Sequence, residues 1–187
     1  MPREKDFNKD SVIKKCISLF ASNGYNATGI QEIVSATGIN RSSLYSTFNG
    51  KDNLFLICLQ IAAQEEKDFL EDLYKKSSGI KFVDAYLAEV AKDKPLYHLF
   101  KSANSEFKLL NKKNQGFITA HNKWKHEFLT SVIAEGQKSS KISKKSEASD
   151  VAGLLEIITQ GLQNISASKM YASSLPGLIS LLKKKHK

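Results

Sequence analysis

The stretch Arg41-Ser42-Ser43-Leu44-Tyr45-Ser46-Thr47 is dense in hydrogen-bond donors and contains one core-forming residue, Leu44. Such donors suit recognition of a polyanion. An arginine presents a planar fork that matches guanine O6 and N7 in the major groove of DNA. Ser42 and Ser43 are short enough to approach bases or phosphates, and Tyr45 and Thr47 are expected on the outward side, with the Tyr45 hydroxyl reaching a phosphate. Groups suited to catalysis are sparse: His98, His121, His126 and the two cysteines, Cys16 and Cys58. His121 and His126 are five positions apart, about 140° around a helix of 3.6 residues per turn, so they do not share a face as a metal-binding pair would. There is no glycine-rich phosphate loop and no nucleophile elbow. No enzymatic activity, metal or cofactor is expected. Both cysteines lie in apolar, helix-like runs and are expected to pack as small hydrophobes. A redox role for Cys58 would require an exposed thiol of low pKa.

The elements that must position the donor-rich stretch follow from apolar periodicity and its punctuation. Val12, Ile13, Cys16, Ile17, Leu19 and Phe20 give a first helix from about Asn8 to Ser22, stopped by Asn23-Gly24. A second helix is expected from Thr28, with Thr28 and Gln31 as a capping box and Ile30, Ile33 and Val34 facing inward. Thr37-Gly38 closes it, Ile39 plugs the turn, and Asn40 caps a short third helix, Arg41 to Phe48. Asn49-Gly50 ends that helix, and a long fourth follows over about 51–76. This is the layout of a helix-turn-helix, in which the second helix of the pair enters the major groove. Backbone N–H groups near Thr28 and Lys51, at helix starts, are natural phosphate seats.

At this point the stretch LFASNGYNATGIQEIVSATGINRSSLYSTFNGKDNLF resembles the N-terminal domain of the TetR (tetracycline-repressor-like) regulators. The resemblance rests on Leu19-Phe20, Gly24-Tyr25, Ala27-Thr28, Ile30 and Ile33, Gly38-Ile39, Arg41 to Ser43, Leu44-Tyr45, Phe48, Lys51 and Leu54-Phe55, in ungapped spacing. It implies DNA contacts from Thr28, Arg41, Ser42, Ser43, Tyr45, Thr47 and Lys51. Two positions depart from the family pattern: Gly29 stands where Ser or Thr is usual, and Thr47 where His is common.

The remainder is helical in its periodicity, with helices at about 80–92, 95–111, 113–137, 149–170 and 175–185 and a polar basic loop at 138–147. The fold class is therefore all-α, with about nine helices: a three-helix helix-turn-helix domain at residues 1–50 and a larger helical domain at 51–187. The resemblance implies that the larger domain binds an effector and dimerises. Aromatic positions on the middle helices, Tyr97, Phe100, Phe107, Phe117, His121 and Trp124, are candidates to line a cavity. Val151, Leu154, Leu155, Ile158, Leu162 and Ile165, with Leu178 and Leu182 on the last helix, are the candidate dimer interface. A symmetric dimer sets two recognition helices on successive turns of a palindromic operator. The expected partners are double-stranded DNA, a second copy of the chain and a small-molecule effector. The rival reading is a DNA-binding protein without an effector, controlled by a protein partner or acting architecturally.

Composition permits this function without carrying it. The 187 residues have a formal net charge of +9, and only two of the 28 basic residues are arginine, Arg3 and Arg41. Residues 1–51 account for +3 and the remainder for +6, so the basic excess does not mark the DNA-contacting segment. Lys138, Lys141, Lys144 and Lys145 form one local cluster, and Lys183, Lys184, Lys185 and Lys187 another. No apolar run approaches a membrane span of ~18–20 residues, and the N-terminal residues lack a secretory apolar core. A cytoplasmic protein without membrane contact is expected.

Overall fold

Caps and stops divide the chain into helices at nearly the expected places. The structure is a computed structural model and describes residues 7–92, 94–139, 141–164 and 174–183. Among them are nine α-helices: α1 Lys9–Asn23, α2 Ile30–Thr37, α3 Arg41–Phe48, α4 Lys51–Lys76, α5 Ile80–Val90, α6 Pro95–Ser105, α7 Lys112–Lys138, α8 Ala148–Asn164 and α9 Leu175–Leu182. A single 3-10 turn, Phe107–Leu109, follows α6, so the helix expected to reach residue 111 ends earlier. Asn8 caps α1 by accepting from Ser11 N–H at 3.0 Å. Pro95 occupies the first turn of α6, where its missing N–H costs nothing. The only strand-like pairing among the described residues is an isolated antiparallel bridge between Ile142 and Lys183.

The helices pack as two compact units, each built from two separate stretches of chain. The first unit runs to Glu65 and takes in Lys94–Thr119 as well; the second comprises the chain from Glu66 onward to α6 and from Ala120 onward. The reason is burial. The first core joins Cys16, Phe20, Ile33, Leu44 and Phe55 to Leu99, Ala103 and Ile118, all 0% exposed. An α1–α2–α3 trio alone would leave the inner face of α1 uncovered, and α6 packs along it. Phe20 meets Phe55 edge to face at 4.9 Å between centroids, and Tyr25 lies 4.9 Å from the same ring; such contacts add to simple area burial.

The second core collects Leu70, Phe82, Val83, Tyr86, Leu87, Leu129, Ile133, Ile142 and Leu155 from α4, α5, α7, the α7–α8 loop and α8. Ile142 is the loop's anchor. It enters over Gly136, where a Cβ would stand 2.6 Å from its Cδ1 and 3.1 Å from the Gly79 Cα. Gly136, in the last turn of α7, therefore provides close approach rather than an unusual backbone angle. Gly136→Ala is expected to destabilise by about 1–3 kcal/mol through overpacking, read as a lowered denaturation midpoint by fluorescence of Trp124. An unchanged midpoint would mean that the loop yields freely.

Candidate nucleic-acid interface

The turn between α2 and α3 is built by Gly38, whose left-handed backbone (φ 78°) lets its N–H donate to Val34 C=O at 2.9 Å. Ile39, 3% exposed, plugs the turn. Asn40 caps α3, its Oδ1 accepting from Ser43 N–H and from the Ser42 hydroxyl, each at 2.7 Å. Leu44 and Phe48 fasten α3 inward, at 0% and 2% exposure. With those anchors fixed, Arg41 and Ser42 stand exposed, Ser43 is half-buried, and Tyr45 is 47% exposed. Arg41, Ser42 and Tyr45 thus stand in solvent on the first turns of α3, with Ser43 partly withdrawn.

Thr28 and Thr47 do not join them. Thr28 is 0% exposed, and its hydroxyl donates to Gly24 C=O at 2.6 Å. It closes the α1–α2 turn, so its side chain is withdrawn from any phosphate. The expected Thr28–Gln31 capping box is also corrected. α2 begins at Ile30 with Gly29 as its cap, and the Glu32 carboxylate accepts from Gly29 N–H at 2.7 Å. An acidic group occupies the N–H where a phosphate was expected. Thr47 turns its Oγ1 inward, where it is buried without a hydrogen-bond partner, so the outward placement expected for it does not hold.

Lys51 opens α4. Its Nζ lies 4.2 Å above the Tyr25 ring, a cation–π contact. Partial burial lowers its pKa, while Asp52, Glu106 and Glu32 oppose that shift. The Tyr25 hydroxyl donates to Asp52, and burial followed by this carboxylate raises the phenol's pKa. Sequence reasoning missed the residue that ties this corner down. Glu106, at the end of α6, accepts from Tyr25 N–H at 2.6 Å and Asn26 N–H at 3.2 Å. A Cβ on Gly24 would meet its Oε1 at 2.8 Å, and Gly24 also has a φ of 85°. Two requirements therefore converge on that glycine.

The sites expected in the larger domain are only partly assembled. Tyr97 and Phe100 are buried in the first unit, and Phe107 and Phe117 pack against its core. His121 and Trp124 belong to the second unit, stacked at 5.8 Å. His121 is a core histidine: its Nε2 is 2.7 Å from Glu66 Oε2. The other Glu66 oxygen accepts from Lys125 Nζ at 3.2 Å. The signal for this network is visible in the sequence on one side only, since Lys125 falls four positions after His121 on an apolar stripe. Of the interface candidates, Val151, Leu155 and Leu162 are buried within the chain's own core, which corrects their assignment. Leu154 is 56% exposed, and Ile158, Leu178 and Leu182 are half-buried. Ile165 lies outside the described residues. Two further large apolar residues are exposed, Ile157 at 67% and Leu181 at 80%. Cys16 and Cys58 are fully buried, and burial raises both thiol pKa values, Cys16 to about 11. Cys58 therefore lacks both properties a redox sensor needs.

A sealed core under an exposed, donor-rich short helix, joined through a glycine turn, defines a helix-turn-helix unit of the regulator type. Residues 12–58 match the family described as bacterial regulatory proteins, tetR family. The transcriptional regulator YezE of Bacillus subtilis is 41% identical over 56 residues, 30% of this chain and 29% of that protein, so the match spans under a third of the relative's length. The fold is shared over far more of the chain. A TetR-family regulator from Agrobacterium tumefaciens superposes with a TM-score of 0.85 at 19% identity, covering 94% of this chain and 97% of that one. AibR, solved in complex with isovaleryl coenzyme A and operator DNA, superposes with a TM-score of 0.75 at 13% identity, covering 93% and 97%. Residues 12–58 thus match the tetR family's DNA-binding module, and the solved TetR-family regulators share the fold of the rest. Among the described residues, no helix is long and apolar enough to cross a membrane.

Proposed function

We propose that this protein is a dimeric transcriptional repressor that grips a palindromic operator through α3 and leaves it when a small molecule binds the second unit. The observation that carries the DNA-binding part is the exposure of Arg41, Ser42 and Tyr45, with Ser43 partly exposed beside them, on a helix anchored by buried Leu44 and Phe48. Polar groups held on a rigid helix can meet base edges without ordering on contact. Lys51 supplies a phosphate contact from the start of α4. Arg41→Ala is expected to cost about 1–3 kcal/mol per half-site and to relax base preference at one position. Lys51→Ala should weaken all sequences alike and flatten the salt dependence. Both are read by titration of a duplex selected from the source genome. An equal loss on all sequences for Arg41→Ala would make it a phosphate contact instead.

Dimerisation is supported by Leu154 and Ile157 on α8 and Leu181 on α9. Among the described residues, they are the large apolar side chains of the second unit that its own core leaves in solvent. Exposed apolar patches of this kind mark interfaces. Ile157→Lys is expected to convert dimer to monomer in sedimentation, with operator affinity falling at least about tenfold as the second half-site is lost. A dimeric Ile157→Lys protein would move the interface elsewhere. Effector control is supported by AibR, whose complex holds both isovaleryl coenzyme A and operator DNA. In this chain, Glu66, His121 and Lys125, the buried polar cluster of the second unit, are the groups we assign to effector recognition. A ligand that binds only the native state raises the melting temperature. A candidate that does so without changing operator affinity would sink the release mechanism, because the effector must discriminate between two states.

A further inference from the structure

Lys183, the first of the C-terminal lysines, is brought beside the lysine-bearing loop between α7 and α8 in the second unit. The α7–α8 loop carries Lys141, Lys144 and Lys145, with Lys138 at the end of α7 just before it. Ile142 pairs with Lys183, and Ser143 N–H donates to Leu182 C=O at 3.0 Å. This sets Lys183, just past α9, beside the loop, and in the sequence the chain continues Lys184, Lys185, His186, Lys187. The loop is pinned. Lys141 and Ile142 N–H groups both donate to Gly136 C=O, at 2.9 and 3.0 Å. The Gln137 amide donates to the carbonyls of Ser143 and Ser146, at 3.0 and 2.8 Å. Lys141 also reaches the Ser78 hydroxyl at 3.1 Å.

We propose that this pinned lysine platform is a second, sequence-independent contact for a DNA backbone, distinct from α3. Lys138, Lys141, Lys144, Lys145 and Lys183 are all exposed. Among the described residues, none of the five has a carboxylate within ion-pair distance. The nearby acids are few: Asp72 is paired with Lys76, Glu135 accepts from the Tyr74 hydroxyl, and Glu147 and Asp150 sit at the start of α8. Helix C-termini favour lysine for their own dipoles, which accounts for Lys138 but not for the loop. Lysines act on phosphate as hydrated point charges and carry no base readout. The serines interleaved with them are phosphate hydrogen-bond donors of ordinary reach. A membrane-surface segment would combine such lysines with free apolar residues turned outward; here Ile142 of the loop is 0% exposed, and the exposed Leu181 near Lys183 belongs to the proposed dimer interface. A second duplex is therefore the favoured polyanion. The inference rests on the reading of the first unit as the operator-binding unit only insofar as a bound protein would then bridge two duplexes.

The test uses the full chain and a triple variant, Lys141→Gln with Lys144→Gln and Lys145→Gln. Protein on an immobilised operator duplex is offered a labelled duplex of unrelated sequence. The wild type is expected to capture it, with capture falling about a hundredfold between about 50 and 200 mM salt if some four phosphates are neutralised. The variant should capture at least about tenfold less while its operator affinity stays within about twofold. Equal capture by variant and wild type, or none by either, overturns the proposal. So does binding to vesicles of phosphatidylserine that exceeds binding to the unrelated duplex, which would make the platform a membrane contact. Operator affinity is measured on the first duplex alone, so its absence fails the proposed function. The platform is then still judged by the difference between variant and wild type on unrelated duplex in solution.

Discussion

Glu66→Ala is expected to cost about 3–5 kcal/mol of stability at neutral pH, the scale for stripping one partner from a buried ion pair. Glu66 is 5% exposed, with His121 Nε2 at 2.7 Å on one oxygen and Lys125 Nζ at 3.2 Å on the other. Burial by itself pushes this carboxyl's pKa up. Lys125 and then His121 more than reverse that, bringing it from the ordinary 4.5 to about 2. At Lys125 burial alone would lower the ammonium's pKa, and Glu66, with Tyr86 and Glu156, more than reverses that, so the pKa is raised. The carboxylate thus favours the folded state fully above about pH 4.5, and this contribution is lost as the pH falls through that value towards 2. Wild type should therefore lose stability over that acidic window more steeply than Glu66→Gln, which cannot titrate. Denaturant midpoints followed by Trp124, stacked on His121, give the measurement. Parallel acid profiles for wild type and Glu66→Gln would show that the pair is solvated rather than buried. A joint exchange of Glu66 and Lys125 for leucine and methionine should cost much less than Glu66→Ala, because no lone charge is left inside.

Glu106→Ala should destabilise the first unit by about 2–3 kcal/mol, since each hydrogen bond from an amide to a charged acceptor contributes on the order of 1.5–3 kcal/mol and the two share one carboxylate. The Tyr25 and Asn26 N–H groups lose their acceptor together, and the α1–α2 turn loses its tie to α6. Because this turn precedes the helix-turn-helix, operator affinity should fall with it. Glu106→Gln keeps an acceptor oxygen and should recover part of both losses. Amide exchange decides the mechanism: Tyr25 and Asn26 should exchange faster in Glu106→Ala while amides in the core of α5 do not. If all amides accelerate equally, Glu106 acts on global stability and not on this turn.

The parts of the fold that are written locally are legible in the amino-acid sequence. α3 begins and ends where Asn40 and Asn49-Gly50 place it, because a cap and a left-handed residue act within one turn of themselves. The same holds for Asn8 and Gly24 around α1. The start of α2 is ambiguous in sequence because Thr28 and Gly29 both permit a cap, and Gln31 and Glu32 both offer a third-position partner. Burial of Thr28 in the α1–α2 turn decides against the expected start and for Gly29. The clamp from Glu106 spans 81 residues to Tyr25, and no periodicity carries information over that distance. The discontinuous units are hidden for the same reason. Apolar stripes on α8 supply the right residue types for an interface. A stripe does not say which of its rows the chain itself covers, and Leu155 and Leu154 fall on opposite sides of that line.

The two thiols have a practical consequence. Cys16 and Cys58 are the chain's only cysteines, both lie in the first unit, and both are fully buried with raised pKa values. An alkylating reagent can reach them only when that unit opens, so the labelling rate under native conditions clocks its opening alone. The single tryptophan, Trp124, lies in the second unit. The unaltered chain thus carries one chemical and one optical reporter, assigned to different halves. Comparing the two decides whether the halves unfold as one cooperative block or in sequence.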